Sequence, residues 1–139
     1  ARLGAGPEEE NLKKIMSGAV FKKNLPRKEL VNLMEKSHIL CHPSTEEGFG
    51  IVLIESLAAD TPYIALNIPA IKEITFNGKG GILAERNDIK AFSKAIFDLL
   101  KNKNLYNSKQ LEGKALVNKY FWKNIAQETY EYYRRVANV

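Results

Sequence analysis

Glu47 and Glu55 flank a glycine loop, with seven residues between them, in the run His42-Pro43-Ser44-Thr45-Glu46-Glu47-Gly48-Phe49-Gly50-Ile51-Val52-Leu53-Ile54-Glu55-Ser56. From 48 to 59 every side chain except Glu55 is apolar or small. A lone carboxylate among Ile, Val, Leu and Ala is costly to bury without a partner, so Glu55 asks for a ligand. Gly48-Phe49-Gly50 makes a tight loop at the start of a helical stretch, where free backbone N–H groups and the positive dipole end attract anions. Glu55 lies about one turn beyond Ile51, so its carboxylate can accept hydroxyl hydrogen bonds near the same end. Glu47 supplies a second acceptor just before the loop. Two acidic acceptors around a glycine loop suit a ligand that is part phosphate and part polyol, such as a nucleotide sugar, and do not suit a bare polyanion. The plainer alternative is that Glu47 is a solvated loop residue and Glu55 a surface residue of a half-exposed helix.

The surrounding pattern alternates short apolar runs with helical ones. Strands are expected at 20–22, 39–42, 62–66 and 81–84, and helices at 8–16, 26–36, 50–59 and 88–101. Short apolar strands between helices predict an α/β fold with a doubly wound, Rossmann-like parallel sheet. Ligands of such sheets bind outside the strand C-termini, and the glycine loop follows the strand ending at His42. Asp88 is placed to cap a helix whose stripe is Ile89, Phe92, Ile96, Leu99 and Leu100. A helix over 104–119 is interrupted by Gly113. A last amphipathic segment, 121–137, carries Trp122, Ile125, Ala126, Thr129, Tyr130 and Tyr133 on one side and must pack on something.

Pro43-Ser44, then Glu47-Gly48-Phe49-Gly50, then Glu55 resembles the donor-site signature of retaining glycosyltransferases with the GT-B fold, in the group 1 family. Gly4-Ala5-Gly6-Pro7-Glu8 is similar to the turn after the second strand of that family's C-terminal domain, and Val20-Phe21 to its third strand. Pro62-Tyr63-Ile64-Ala65 is similar to the strand after the signature helix. Lys72-Glu73-Ile74 and Asn77-Gly78-Lys79-Gly80-Gly81-Ile82 are similar to the next loop and strand. The resemblance implies that Glu55 holds the donor ribose and Glu47 the transferred hexose, as the catalytic carboxylate. It implies that Gly48, Phe49, Gly50 and Ile51 bind the donor, with backbone N–H groups of Phe49, Gly50 and Ile51 meeting sugar and diphosphate. Leu25 is similar to a position whose backbone touches the nucleobase. The implied reaction moves a hexose with retention, needs no metal and no cofactor beyond its UDP- or GDP-linked sugar donor, and uses the departing diphosphate as base.

Three departures qualify the match. Asp60-Thr61-Pro62 stands where the family has Gly, and Asp tolerates the left-handed conformation needed there. Ile68-Pro69-Ala70 replaces paired glycines. The family's first strand of this domain, with an Arg and a Lys-Gly that grip the diphosphate, has no counterpart, so the sheet is expected to lack its central strand and leave an edge uncovered. The resemblance implies a donor-binding domain over 1–120 and a helix over 121–139 that crosses to an N-terminal domain, which would bind most of the sugar, lipid or protein acceptor; the alternative is that this helix caps its own sheet. An active full-length parent and an inactive 139-residue chain follow. The rivals are an epimerase-like enzyme acting on nucleotide sugars and a non-catalytic binding module.

Composition sets outer bounds. At 139 residues and 45% hydrophobic the chain predicts one core. No apolar run approaches the roughly 20 residues a membrane span needs, and the single Cys41 forms no internal disulfide, which fits a cytoplasmic setting with room for peripheral attachment at the inner membrane face. Cys41 itself reads as a small buried hydrophobe. The net charge of +5 is scattered, and Phe92, Phe97, Trp122, Tyr130 and Tyr133 read as core stripes, which argues against nucleic acid. His38, Cys41 and His42 do not make a metal site, because alternate strand residues put the two histidines on one face while Cys41 points to the other, and a fourth ligand is lacking. Ser44 lacks a nucleophile turn and reads as a helix-capping or loop-bonding residue.

Overall fold

The computed structural model describes residues 2–3 and 6–137, in compact units spanning 1–33 and 34–139. Gly4 and Ala5, which begin the glycine turn singled out in the sequence, lie outside the described residues.

In the first unit, β1 (Arg2–Leu3) and β2 (Phe21–Lys22) pair in parallel, with Arg2 opposite Phe21, and α1 (Glu9–Ile15) is the crossover that parallel pairing requires. Glu9 and Glu10 begin α1 and Lys13 and Lys14 end it, which complements the helix dipole. The Glu9 side chain, only 10% exposed, accepts from Lys23 Nζ at 2.7 Å and Lys13 Nζ at 2.9 Å. Two ammonium groups compensate its loss of water. The helix α2 (Arg27–Glu35) follows Pro26 and spans the boundary between the units.

The second unit holds a parallel sheet in the order β3 (Leu40–His42), β4 (Tyr63–Leu66), β5 (Gly81–Ala84). Crossovers are α3 (Ile51–Ala58) and α4 (Pro69–Ile74), and α5 (Ile89–Lys101), α6 (Lys103–Val117), a short 3₁₀ turn at Asn118–Tyr120 and α7 (Trp122–Ala137) complete the chain. All four residues of β4 are buried, as a central parallel strand covered on both faces must be. Strand alternation sends Tyr63 and Ala65 to a core with Leu53, Leu57, Ile71 and Leu116, and Ile64 to a core with Ala95 and Leu99 of α5. Thr61 is buried because its hydroxyl donates to the Met34 carbonyl at 2.7 Å, while Ser56 donates to the Thr61 carbonyl at 2.8 Å.

Most elements form where the periodicity puts them, with the doubly wound α/β arrangement intact. Asp88 caps α5 by accepting from the Ala91 N–H at 2.8 Å, and Asp60 takes the left-handed conformation, φ 62°, at the end of α3. Among the described residues β3 pairs with β4 alone.

Several expectations need correction. The segment read as a loop around Lys72-Glu73-Ile74 is helical, because Pro69 opens α4 after an extended Ile68 and Ile71 and Ile74 turn into the core. Gly113 does not break α6; it is buried, and a Cβ there would lie 2.8 Å from Leu57 Cδ2, so its absence lets α6 approach α3. Ile89 and Leu100 are exposed, since Ile89 stands at the helix mouth and Leu100 is about 100° round the axis from buried Leu99. Cys41 is exposed, because it points away from the face that carries Leu40 and His42. Phe97, Trp122, Tyr130 and Tyr133 are exposed too, and of the aromatics expected in core stripes only Phe92 packs against the core. No residue of α7 is buried among the described residues.

Candidate functional site

His42 ends β3 with its backbone paired to Ala65 of β4, so its imidazole is carried on a rigid strand end. After Pro43 the chain bends as the Ser44 hydroxyl donates to the Glu46 carbonyl at 2.8 Å, which is loop bonding, one of the two roles its sequence context left open. That bend returns Glu47 to the strand, and its Oε1 lies 2.7 Å from His42 Nε2, both side chains being about four-fifths buried or slightly less, 19% and 25% exposed. A carboxylate only accepts, so Nε2–H is the donor. Glu47 is thus a partnered residue rather than a solvated one.

Gly50 sets the next turn. Its φ of 83° is left-handed, and a Cβ would lie 2.7 Å from Ile71 Cδ1, so both backbone and packing require glycine. It directly precedes α3, whose N-terminus receives no side-chain cap, with Leu53 N–H to the Gly50 carbonyl at 3.0 Å as an early bond. Gly48 differs, since a Cβ there would meet nothing within 4 Å of the protein. Phe49 and Ile51, on either side of Gly50, are exposed. The Phe49 ring meets Tyr120 edge to face at 6.2 Å, and the Tyr120 hydroxyl donates to the Ile74 carbonyl at 2.6 Å. Burial, and then the Glu73 charge, raise the Tyr120 phenol above its ordinary range, which keeps it a donor.

Glu55 projects from α3 one turn beyond Ile51 and is half-buried. It engages another group of the protein, so the expectation of a carboxylate stranded among apolar side chains is corrected. Its helical neighbours Ile54, Ser56 and Leu57 take the buried side and leave Glu55 on the flank. Glu47, Gly48, Phe49, Gly50, Ile51 and Glu55 all belong to the second unit, whereas Leu25 is half-buried in the first, between β2 and α2.

Two participants escaped sequence reasoning. The His42–Glu47 pair depends on how far Pro43 and Ser44 turn the chain, and Tyr120 reaches Phe49 from 71 positions away. Neither carries a local signal. Among the described residues no group of three or more His, Cys, Asp or Glu could hold a metal ion, and no helix is long and apolar enough to cross a membrane.

Comparison with known proteins points one way. The profile of the family described as Glycosyl transferases group 1 matches residues 3–115. An uncharacterised glycosyltransferase of Methanocaldococcus jannaschii is 30% identical over 79% of this chain and 31% of its own length. The phosphatidyl-myo-inositol mannosyltransferase of Mycobacterium leprae is 32% identical over 75% of this chain and 28% of its own. Among solved structures, sucrose-phosphate synthase from Thermosynechococcus elongatus superposes with a TM-score of 0.80 at 23% identity, covering 98% of this chain and 38% of that one. The pneumococcal O-GlcNAc transferase GtfA, in complex with UDP and GlcNAc, gives a TM-score of 0.76 at 20% identity, covering 99% of this chain and 29% of that one. The chain spans less than a third of the length of these two sequence relatives. With the Rossmann-like fold of the C-terminal half of GT-B enzymes, the chain belongs to the group 1 glycosyltransferases.

Proposed function

We propose that this chain is the donor-binding part of a glycosyltransferase that moves a hexose from a UDP- or GDP-linked sugar to an acceptor with retention of configuration. The observation that carries this reading is the start of α3, uncapped by any side chain, entered through left-handed Gly50 and flanked by a carboxylate fixed on His42. Backbone N–H groups of Phe49, Gly50 and Ile51 then meet the diphosphate and sugar, Glu55 accepts from the ribose hydroxyls, and Glu47 accepts from the hexose. The open space over Gly48 supports a close approach of sugar to backbone. In the reaction the bond from the anomeric carbon to phosphate oxygen breaks and a bond to the acceptor oxygen forms. The acceptor proton passes to the departing diphosphate, and Glu47 orients the hexose and stabilises developing positive charge. The exposed aromatic side of α7 packs on the acceptor-binding half of the full-length protein, where sugar, lipid or protein acceptors bind.

The two carboxylates are separable by kinetics in the full-length protein. Glu55→Gln keeps volume and loses a charged acceptor, a change of about 1.5–3 kcal/mol, so the donor Kd in calorimetric titration rises roughly tenfold to a hundredfold. Glu47→Gln lowers kcat more than it raises the donor KM, because its interaction strengthens in the transition state. Unchanged donor affinity in Glu55→Gln, or intact turnover in Glu47→Gln, contradicts the role given to that residue.

A further inference from the structure

We propose that His42 is the positioning residue of the donor site: it grips one oxygen of Glu47 and leaves the other to accept from the transferred hexose. The inference rests on the glycosyltransferase reading above. Glu47 stands on a loop, and a side chain with three rotatable bonds would otherwise divide its time among several rotamers. His42 stands at the end of a strand paired to buried β4, which makes it the rigid member of the pair. The Nε2···Oε1 distance of 2.7 Å, between side chains 19% and 25% exposed, is that of a short, charge-assisted hydrogen bond. An imidazole has one N–H on this side and engages one carboxylate oxygen, so the second stays available for a sugar hydroxyl. A reacting group held this way from a rigid element is ready before donor arrives. A mere clip on the loop would look alike at rest, but it would affect folding and both substrates alike, whatever occupied position 47.

The test is a double-mutant cycle on the full-length protein that contains this chain. Hexose transfer from UDP- and GDP-sugars, donor Kd by calorimetry and melting temperature are measured for wild type, His42→Met, His42→Gln, Glu47→Gln and the double variant His42→Met/Glu47→Gln. His42→Met is expected to lower kcat roughly tenfold to a hundredfold with donor Kd within about threefold. His42→Gln, whose amide nitrogen reaches the place of Nε2, recovers most of that loss. On the Glu47→Gln background His42→Met costs less than about twofold more, because its effect runs through Glu47. If His42→Met does not fold, His42→Asn, whose amide is too short to reach Glu47, takes its place under the same criteria. A folded His42→Met within about twofold of wild type, or an equal loss on the Glu47→Gln background, overturns the positioning role while leaving the glycosyltransferase reading intact. A wild-type protein that transfers no hexose from any sugar nucleotide overturns both.

Discussion

Side chains in this protein keep charge near apolar surroundings by pairing it, and the pairs differ in what they sustain. His42 and Glu47 face an open loop, while Glu9 is enclosed by Lys23 and Lys13 in the first unit. The lysines hold the Glu9 carboxyl at about 2, down from an ordinary 4.5. A depressed carboxyl stabilises the fold above its unfolded value and loses that contribution as pH falls through the folded value. The difference in urea stability between wild type and Glu9→Gln should therefore be constant above pH 4.5 and shrink between 4.5 and 2. A difference independent of pH over that window would contradict the pairing. At this scale the sequence was readable where spacing along one helix decided the outcome, as it did for the placing of Glu55 one turn beyond Ile51 on α3. It was silent on His42 with Glu47, because the return of the loop to its own strand depends on turn angles that residue types do not encode.

Elements are fixed by where small residues let others come close. Gly81 stands opposite Tyr63 in the β4–β5 pair, and a Cβ on it would lie 2.4 Å from the Tyr63 carbonyl oxygen and 2.5 Å from the ring. Neither backbone nor a fully buried ring can yield, so Gly81→Ala should destabilise the protein by roughly 3 kcal/mol in urea denaturation. A loss under about 0.5 kcal/mol, ordinary for a surface substitution, would mean that the sheet is slacker than described. The helix α7 is the opposite case, with a clear amphipathic pattern and no buried residue. Trp122, the sole tryptophan and 84% exposed, should fluoresce as a solvated indole and be quenched freely by iodide in the 139-residue chain. Blue-shifted, shielded emission there would contradict its exposure. Periodicity revealed α3, α5 and α7 because each spans two turns or more. It missed α4, six residues opened by a proline, and β1, two residues long, since neither completes enough of a period to stand out. Amphipathicity also says that a face wants cover without saying what supplies it, which is why the aromatics of α7 were misread as core.

For the molecule as a whole, the fold class followed from alternating short strands and helices, and the family match agrees over residues 3–115. The strands pair as a two-stranded sheet, β1–β2, in the first unit and a three-stranded sheet, β3–β4–β5, in the second. Sugar nucleotides are proposed to bind at the loop entering α3. Hydrogen–deuterium exchange on the full-length protein, with and without saturating UDP- and GDP-sugars, tests it most directly. Exchange should slow in peptides covering 46–57, where amides at the uncapped helix start become bonded to phosphate and sugar, and that protection should be lost at the same donor concentration in Glu55→Gln. Donor binding that leaves 46–57 unchanged while protecting another region would contradict it.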